Sequence, residues 1–261
     1  MGQMPPKLLL IDALNLIRRI HAAVKAPDEN AQVDGALSAT LSSLMRALKH
    51  TQPTHVLVVF DGDPPTWRHK LLPEYKSHRK PMPVELRNQL TDFNRLFRQN
   101  GIMTFRRNGV EADDVIGAIA HKAIQANIQT TILSTDKIYR QLLGSPLITV
   151  RDHFNKVDHQ KEDVIREFEV PPEKLLDLWA MAGIGDVPGV SGVGDKGALK
   201  LLQEQGVLEQ IISFEGESKG ALMKVLQQKE QAILSKKLAT LLEDIELGIS
   251  LKDMRYSGMR T

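Results

Sequence analysis

The chain contains no cysteine. Disulfide cross-links and cysteine-ligated zinc are therefore excluded, and the fold must rest on a packed core. The absence suits a reducing compartment, and a cytoplasmic location is expected. Aromatic residues are few, at 5% of the composition. Long apolar runs are missing: the longest aliphatic stretches are Leu8 to Ile11 and Val56 to Phe60, far short of the roughly 20 residues a spanning helix requires. No membrane partner is expected. The run after Lys7 ends at Asp12, so no secretory signal is expected either. Gly2 does not open a myristoylation motif, because Pro6 stands where Ser or Thr is needed. Internal repeats and low-complexity linkers are absent.

What is present suits a folded protein. Hydrophobic residues make up 42% of 261 positions and charged residues 25%, which excludes wholesale disorder and accommodates one large domain, or a domain with a smaller module. The net charge is only +2, which at first argues against a polyanionic partner. That total is a cancellation. Residues 66–107 hold ten basic side chains (Arg68, Lys70, Lys76, Arg79, Lys80, Arg87, Arg95, Arg98, Arg106 and Arg107) against Glu74, Glu85 and Asp92. The segment is +7 and the rest of the chain −5. Trp67 and Tyr75 are interleaved with the charges, a combination that offers phosphate contacts and stacking surfaces together. Taken alone, such a run is also compatible with a solvated helix face.

Three short apolar runs lead to a carboxylate: 7–12 ending in Asp12, 55–61 ending in Asp61, and 130–136, where Asp136 lies slightly past the run. Continuous apolar runs of this length read as strands buried on both faces of a parallel sheet. Further strands are expected at 102–105 and 147–150. Helical spacing lies between them, at 36–49, 84–99 and 112–126. The alternation predicts an α/β domain with a parallel central sheet flanked by helices, over about 5–160. Beyond it, 161–261 reads as mostly helical. A helix is expected over 173–182 after Pro171-Pro172, then a glycine-rich loop over 183–194, then a helix capped by Asp195. The last stretch, 206–261, carries no readable motif.

Open α/β sheets bind ligands at the carboxyl ends of their strands, so Asp12, Asp61 and Asp136 can converge there. Glu111, Asp113 and Asp114 add three carboxylates at a helix start. Six such groups repel one another unless a cation neutralises them, and hard divalent ions with oxygen ligands, Mg²⁺ or Mn²⁺, fit that need. Each residue singly also suits a turn or a helix start; the combination points to metal. Gly192-Val193-Gly194-Asp195-Lys196-Gly197 spells G-x-G-x-x-G but follows a helix and a Pro-Gly loop, not a strand. With no Walker-type phosphate loop elsewhere, no nucleotide cofactor is expected.

Six blocks, in order, resemble the flap endonuclease/5′-nuclease family, whose nuclease domain is PIN-like. They are 9–16 with Asp12 and Asn15; 59–62 with Trp67-Arg68; 72–79 with Tyr75, Lys76 and Arg79; 111–114; 134–137 with Gln141-Leu142; and 187–198. The likeness spans about 5–205 and is nearest to the short, stand-alone bacterial exonuclease IX type. It implies a metal-dependent nuclease domain over 5–160 with a helical arch at about 66–107, and a helix–three-turn–helix at about 173–205 within a helical C-terminal region.

The resemblance implies that Asp12, Asp61, Glu111, Asp113, Asp114 and Asp136 hold divalent metal, directly or through water. It places Tyr75, Lys76, Arg79 and Arg68 over the scissile phosphate as catalytic contacts. It gives Gly192, Val193, Gly194, Asp195, Lys196 and Gly197 to duplex DNA backbone, and the carbonyls of Met181, Ala182, Pro188, Val190 and Val193 to K⁺. Two departures stand out. Ile138 occupies the place of a second Asp, and 183–188 is shortened, leaving Asp186 as its one carboxylate. One well-formed metal site and a weakened second are expected. The expected activity is cleavage of 5′-flap or branched DNA, as in replication or repair, by a monomer. The alternative is a branched-DNA-binding protein, weakly catalytic or silent.

Overall fold

Strands β1 (Lys7–Asp12), β2 (His55–Phe60), β3 (Met103–Arg106), β4 (Gln129–Leu133), β5 (Ile148–Asp152) and β6 (Val157–His159) form one sheet in the order β3-β2-β1-β4-β5-β6. The computed structural model describes residues 5–258; Gly2 lies outside them. The first five strands are parallel. The hairpin strand β6 pairs antiparallel to β5 at one edge, and the central sheet is parallel as expected. Asp12 pairs in register with Val59, and Ile11 with both Val58 and Leu133. The carboxyl ends of the three central strands therefore finish level, and their aspartates share one edge.

Helices α1 (Ala13–Ala23), α2 (Glu29–Thr51), α3 (Trp67–Leu71), α4 (Val84–Asn88), α5 (Leu90–Gln99) and α6 (Ala112–Gln125) belong to the first part of the chain. The second carries α7 (Lys161–Phe168), α8 (Leu175–Ala182), α9 (Asp195–Gln205), α10 (Leu208–Ile212), α11 (Gly220–Gln227) and α12 (Lys229–Ala239). Side chains alternate across the sheet. Leu9, Ile11, Val58 and Phe60 pack with α1, α2 and α5. Leu8, Leu10, Leu57 and Val59 pack with α6 and the C-terminal helices. Each fully buried Leu or Phe here stabilises the fold by roughly 1.5–3 kcal/mol.

The sequence misses α1, which leaves β1 without a connecting turn because Asp12 itself caps it, accepting from Asn15 N at 3.0 Å. Helix α2 starts at Glu29 rather than 36, capped by Asp28. The single helix expected over 84–99 is broken at Gln89 into α4 and α5. Of the basic segment 66–107, α5 buries Phe93 and Phe97 and β3 joins the sheet, so only α3 and the turn-rich stretch 72–83 remain to overhang the sheet edge. Helix α9 is preceded by Gly194; Asp195 is its first residue and not its cap. Gly62 is required where β2 exits: a Cβ there would stand 1.8 Å from the Arg107 carbonyl oxygen. Among the described residues, no helix is long and apolar enough to cross a membrane.

Candidate metal centre and nucleic-acid interface

Asp12, Asp61, Asp113 and Asp136 line one cleft of about 290 Å³ at the carboxyl edge of the sheet, with Asn15, Arg18, Arg19, Lys76 and Arg79 on its walls. The strand-end aspartates are also local structural groups. Besides the Asp12 cap, Asp61 Oδ1 accepts from Ala112 N at 3.0 Å and Asp136 Oδ1 from Ile138 N at 2.9 Å. One oxygen of each is thus fixed by backbone. This turn chemistry holds the carboxylates at the rim instead of competing with a metal role. Asn15 extends the scaffold, its Oδ1 accepting from Thr135 N and Thr135 Oγ1.

Burial raises the pKa of Asp12 well above the ordinary 3.8, with Asp113 and Asp61 adding repulsion. Burial likewise raises Asp61 and Asp136, with Asp113 the next cause in both. Such mutual repulsion among oxygen donors is what a hard divalent cation relieves. Among the described residues, no three His, Asp or Glu side chains are drawn close enough to share one ion directly. The donor chemistry fits a cation held partly through water. Tyr139 ties the cluster together from beneath. Fully buried, its hydroxyl donates to Asp113 Oδ1 at 2.7 Å and lies 3.4 Å from Asp12 Oδ2. Sequence reasoning missed this residue; its one signal was a hydroxyl-bearing aromatic three positions after Asp136.

Two expected ligands take other roles. Asp114 is completely buried. Its oxygens accept from Arg68 at 2.7 and 3.0 Å, from Trp67 Nε1 at 2.8 Å and from Leu242 N at 3.2 Å, which anchors it behind the cleft and outside its lining. Glu111 bridges two cations: Oε2 meets Arg68 Nη1 at 2.9 Å and Oε1 meets Lys76 Nζ at 3.1 Å. It stands behind the cleft and holds Lys76.

Arg68 is corrected for the same reason. It is 2% exposed, and its remaining N–H groups donate to the Leu238 and Thr240 carbonyls, pinning the C-terminal segment. These N–H groups are all engaged within the protein, and Arg68 does not line the cleft. Tyr75 is buried as well, its hydroxyl 3.5 Å from Glu111 and its pKa pushed up by burial to about 12, so it offers no stacking face. Lys76 and Arg79 do line the cleft. Burial opposes the Lys76 charge, but Glu111 and Asp113 more than offset it and the ammonium is held above its ordinary pKa. Arg79 donates from Nε to Asp186 Oδ2 at 2.6 Å. Ile138 packs against the core, so no carboxylate faces the cleft from that position.

In the C-terminal region, Gly189 packs directly on backbone: a Cβ there would meet the Ala182 and Met181 backbone at 2.5 Å. Of the five carbonyls expected to hold K⁺, three already accept bonds: Met181 from Val190 N, Val190 from Val193 N, and Pro188 from Ser235 Oγ. No such bond involves the Ala182 or Val193 carbonyl among the described residues. Gly192 has φ of +76°, and Gly194, Asp195 and Lys196 are exposed. The first-turn amides of Asp195, Lys196 and Gly197 have no intrahelical acceptor and stand at the positive end of α9. Val193 is buried and its N–H donates to the Val190 carbonyl.

Residues 7–169 match the family described as the 5′-3′ exonuclease N-terminal resolvase-like domain, and 170–261 match the 5′-3′ exonuclease C-terminal SAM fold. A protein of Pectobacterium carotovorum named Flap endonuclease Xni is 40% identical over 257 residues, covering 97% of this chain and 95% of that protein. Its namesake from Photobacterium profundum is 42% identical over 253 residues, covering 95% and 96%. Among solved structures, that of divalent metal ions (zinc) bound to T5 5′-exonuclease superposes with a TM-score of 0.74 at 25% identity, covering 89% of each chain. The catalytic core of Rad2 in complex with DNA substrate, at 16% identity and a TM-score of 0.59, covers 92% of this chain and 81% of its own and shares the fold.

Proposed function

Because the chain belongs to the 5′-3′ exonuclease family, we propose that it is a metal-dependent, structure-specific flap endonuclease that hydrolyses a phosphodiester in 5′-flap or branched DNA. The observation that carries this reading is the cleft where Asp12, Asp61, Asp113 and Asp136 meet Lys76 and Arg79. A pure binding surface for a polyanion has no use for four repelling carboxylates. The relatives carry the name flap endonuclease over almost their whole length.

A divalent ion, Mg²⁺ or Mn²⁺, at Asp12, Asp61, Asp113 and Asp136 supplies Lewis-acid neutralisation of the phosphodiester charge. The chain's own groups do the rest. Tyr139 orients Asp113 and Asp12, and Glu111 holds the Lys76 ammonium at the cleft wall, where it pairs with a phosphate oxygen. Arg79 stands beside it, tethered to Asp186. The amides of Asp195, Lys196 and Gly197 hold duplex phosphates without reading bases. This reading takes one metal position rather than two, because Ile138 contributes no donor and Asp186 is paired with Arg79. K⁺ in the loop between α8 and α9, a monomeric state, a cytoplasmic location and a part in replication or repair belong to the same reading.

The test is cleavage of a 5′-flap duplex in Mg²⁺, with products mapped at single-nucleotide resolution. Incision next to the junction by the wild type, and its loss in Asp113→Ala, supports the assignment. Salt-sensitive binding with no wild-type product establishes the silent DNA-binding alternative instead.

A further inference from the structure

A second cleft, of about 560 Å³, opens on the far side of α1, between α2 and the β5–β6 hairpin. Its walls carry Arg46 and His50 from α2, Arg151 from β5, and His153, Phe154 and Lys156 from the hairpin turn. No carboxylate lines it. The two nearest are already committed. Asp158 accepts from Arg151 Nη1 at 2.7 Å and contacts His50 Nε2 at 3.2 Å. Asp152 is spent on the hairpin itself, accepting from Phe154 N and Asn155 N at 3.0 Å and from the Asn155 amide at 2.8 Å.

The site is built but incomplete. Arg151 is 94% buried by its 6% exposure, yet its Nε has no partner; His153 Nδ1 is also buried without one. Buried donors of this kind normally find an acceptor. Cations predominate around His153: burial lowers its pKa, Arg46, Arg151 and His50 lower it further, and Asp152 opposes them. Beside these cations stands Phe154, an aromatic ring left 37% exposed, with the His153 ring edge-on at 6.1 Å. Cations with an exposed ring are the components that take a phosphate together with an unstacked base. The cleft size suits one nucleotide and not a duplex, whose bases are already stacked on each other.

The two clefts share no lining residue, but one side chain reaches from the carboxylate cleft to the rim of this one. Arg19 lines the carboxylate cleft, donates to Thr135 Oγ1 at 3.0 Å, and places its guanidinium carbon 5.3 Å from the centre of the Phe154 ring. We propose that this cleft is a second substrate site, holding one unpaired nucleotide of the DNA, its phosphate at Arg46, Arg151 and Lys156 and its base on Phe154. The identification of the ligand as DNA rests on the nuclease reading; the phosphate chemistry does not.

Arg46 and Lys156 are exposed, so the variant Arg46→Ala/Lys156→Ala tests the site without opening the core. Binding of a fluorescent oligothymidylate is followed by anisotropy in EDTA over a salt series, with thymidine 5′-monophosphate and inorganic phosphate as competitors. The double variant is expected to bind about tenfold more weakly, with a shallower salt slope by about 1.4, the value for two phosphate contacts on a single strand. Phe154→Ala is expected to weaken binding by about tenfold with the slope unchanged. The mononucleotide should displace the oligonucleotide at lower concentration than phosphate does. Equal affinity and slope in wild type and double variant overturn the site, and phosphate competing as well as the mononucleotide overturns the nucleotide assignment in favour of a bare anion site. Flap cleavage by the wild type is scored separately, so failure of the nuclease reading is distinguished from failure of this one.

Discussion

The Tyr139 hydroxyl donates to Asp113 Oδ1 at 2.7 Å while lying 3.4 Å from Asp12 Oδ2, so one buried proton donor braces two carboxylates that start from different elements. The same hydroxyl has its pKa driven well up, by burial first and then by Asp113 and Asp12, and stays a donor throughout the working range. Tyr139→Phe is therefore expected to lower metal affinity or turnover by about 10- to 100-fold, as loss of an orienting partner does. A Mg²⁺ titration of flap cleavage reads this directly. A wild-type profile in the variant would refute the bracing role.

Asp61 illustrates the cost of the cluster. Its folded pKa lies above the ordinary 3.8, as do those of Asp12 and Asp136. The folded state thus holds protons more tightly than the unfolded one. That contribution is complete below pH 3.8 and disappears as pH rises through the elevated folded values. In EDTA, Asp61→Asn is expected to raise stability at pH 7 by about 1 kcal/mol and by less at pH 5, and in Mg²⁺ it is expected to abolish cleavage. Thermal melts at both pH values check it; a gain independent of pH contradicts the repulsion.

Arg68 anchors two buried carboxylates and two backbone carbonyls. Removing it leaves Glu111 and Asp114 without their main cation. Arg68→Met is expected to cost about 3–5 kcal/mol in denaturant unfolding. Adding Asp114→Leu should recover part of that loss. A single-variant cost below about 1 kcal/mol would show that the network is incidental.

Lys196 sits exposed at the start of α9, beside amides free to meet phosphate. Lys196→Ala should weaken duplex binding at all sequences alike and reduce the slope of log affinity against log salt by about 0.9. Anisotropy with two unrelated duplexes decides it, and an unchanged slope removes Lys196 from the interface.

The reach of sequence reading is visible in these residues. Asp12, Asp61 and Asp136 were legible because a buried parallel strand leaves a continuous apolar run, and the residue that ends it falls at the ligand-binding edge. Asp113 was legible from a helix start loaded with acid. The burial of Arg68 and Asp114 is not legible, because charge implies solvent until a partner is known, and each is the other's partner 46 positions away in sequence. An aromatic among cations reads as an exposed stacking face, but tertiary packing turns Tyr75 inward. The hairpin cleft was invisible, since Arg46 and Arg151 come from elements with no sequence proximity. Strand β6, three residues long, carries no periodicity to detect.

The central claim is that the carboxylate cleft hydrolyses flap DNA with a divalent ion. Single-turnover cleavage of a 5′-flap duplex across a Mg²⁺ titration, for the wild type and Asp113→Ala side by side, tests it most directly. The account predicts wild-type incision that rises with Mg²⁺ along a simple one-site curve and stops in EDTA, with Asp113→Ala slower by at least 100-fold, in line with loss of electrostatic stabilisation at the reacting phosphate. Equal rates in the two proteins, or wild-type incision that persists in EDTA, would contradict it.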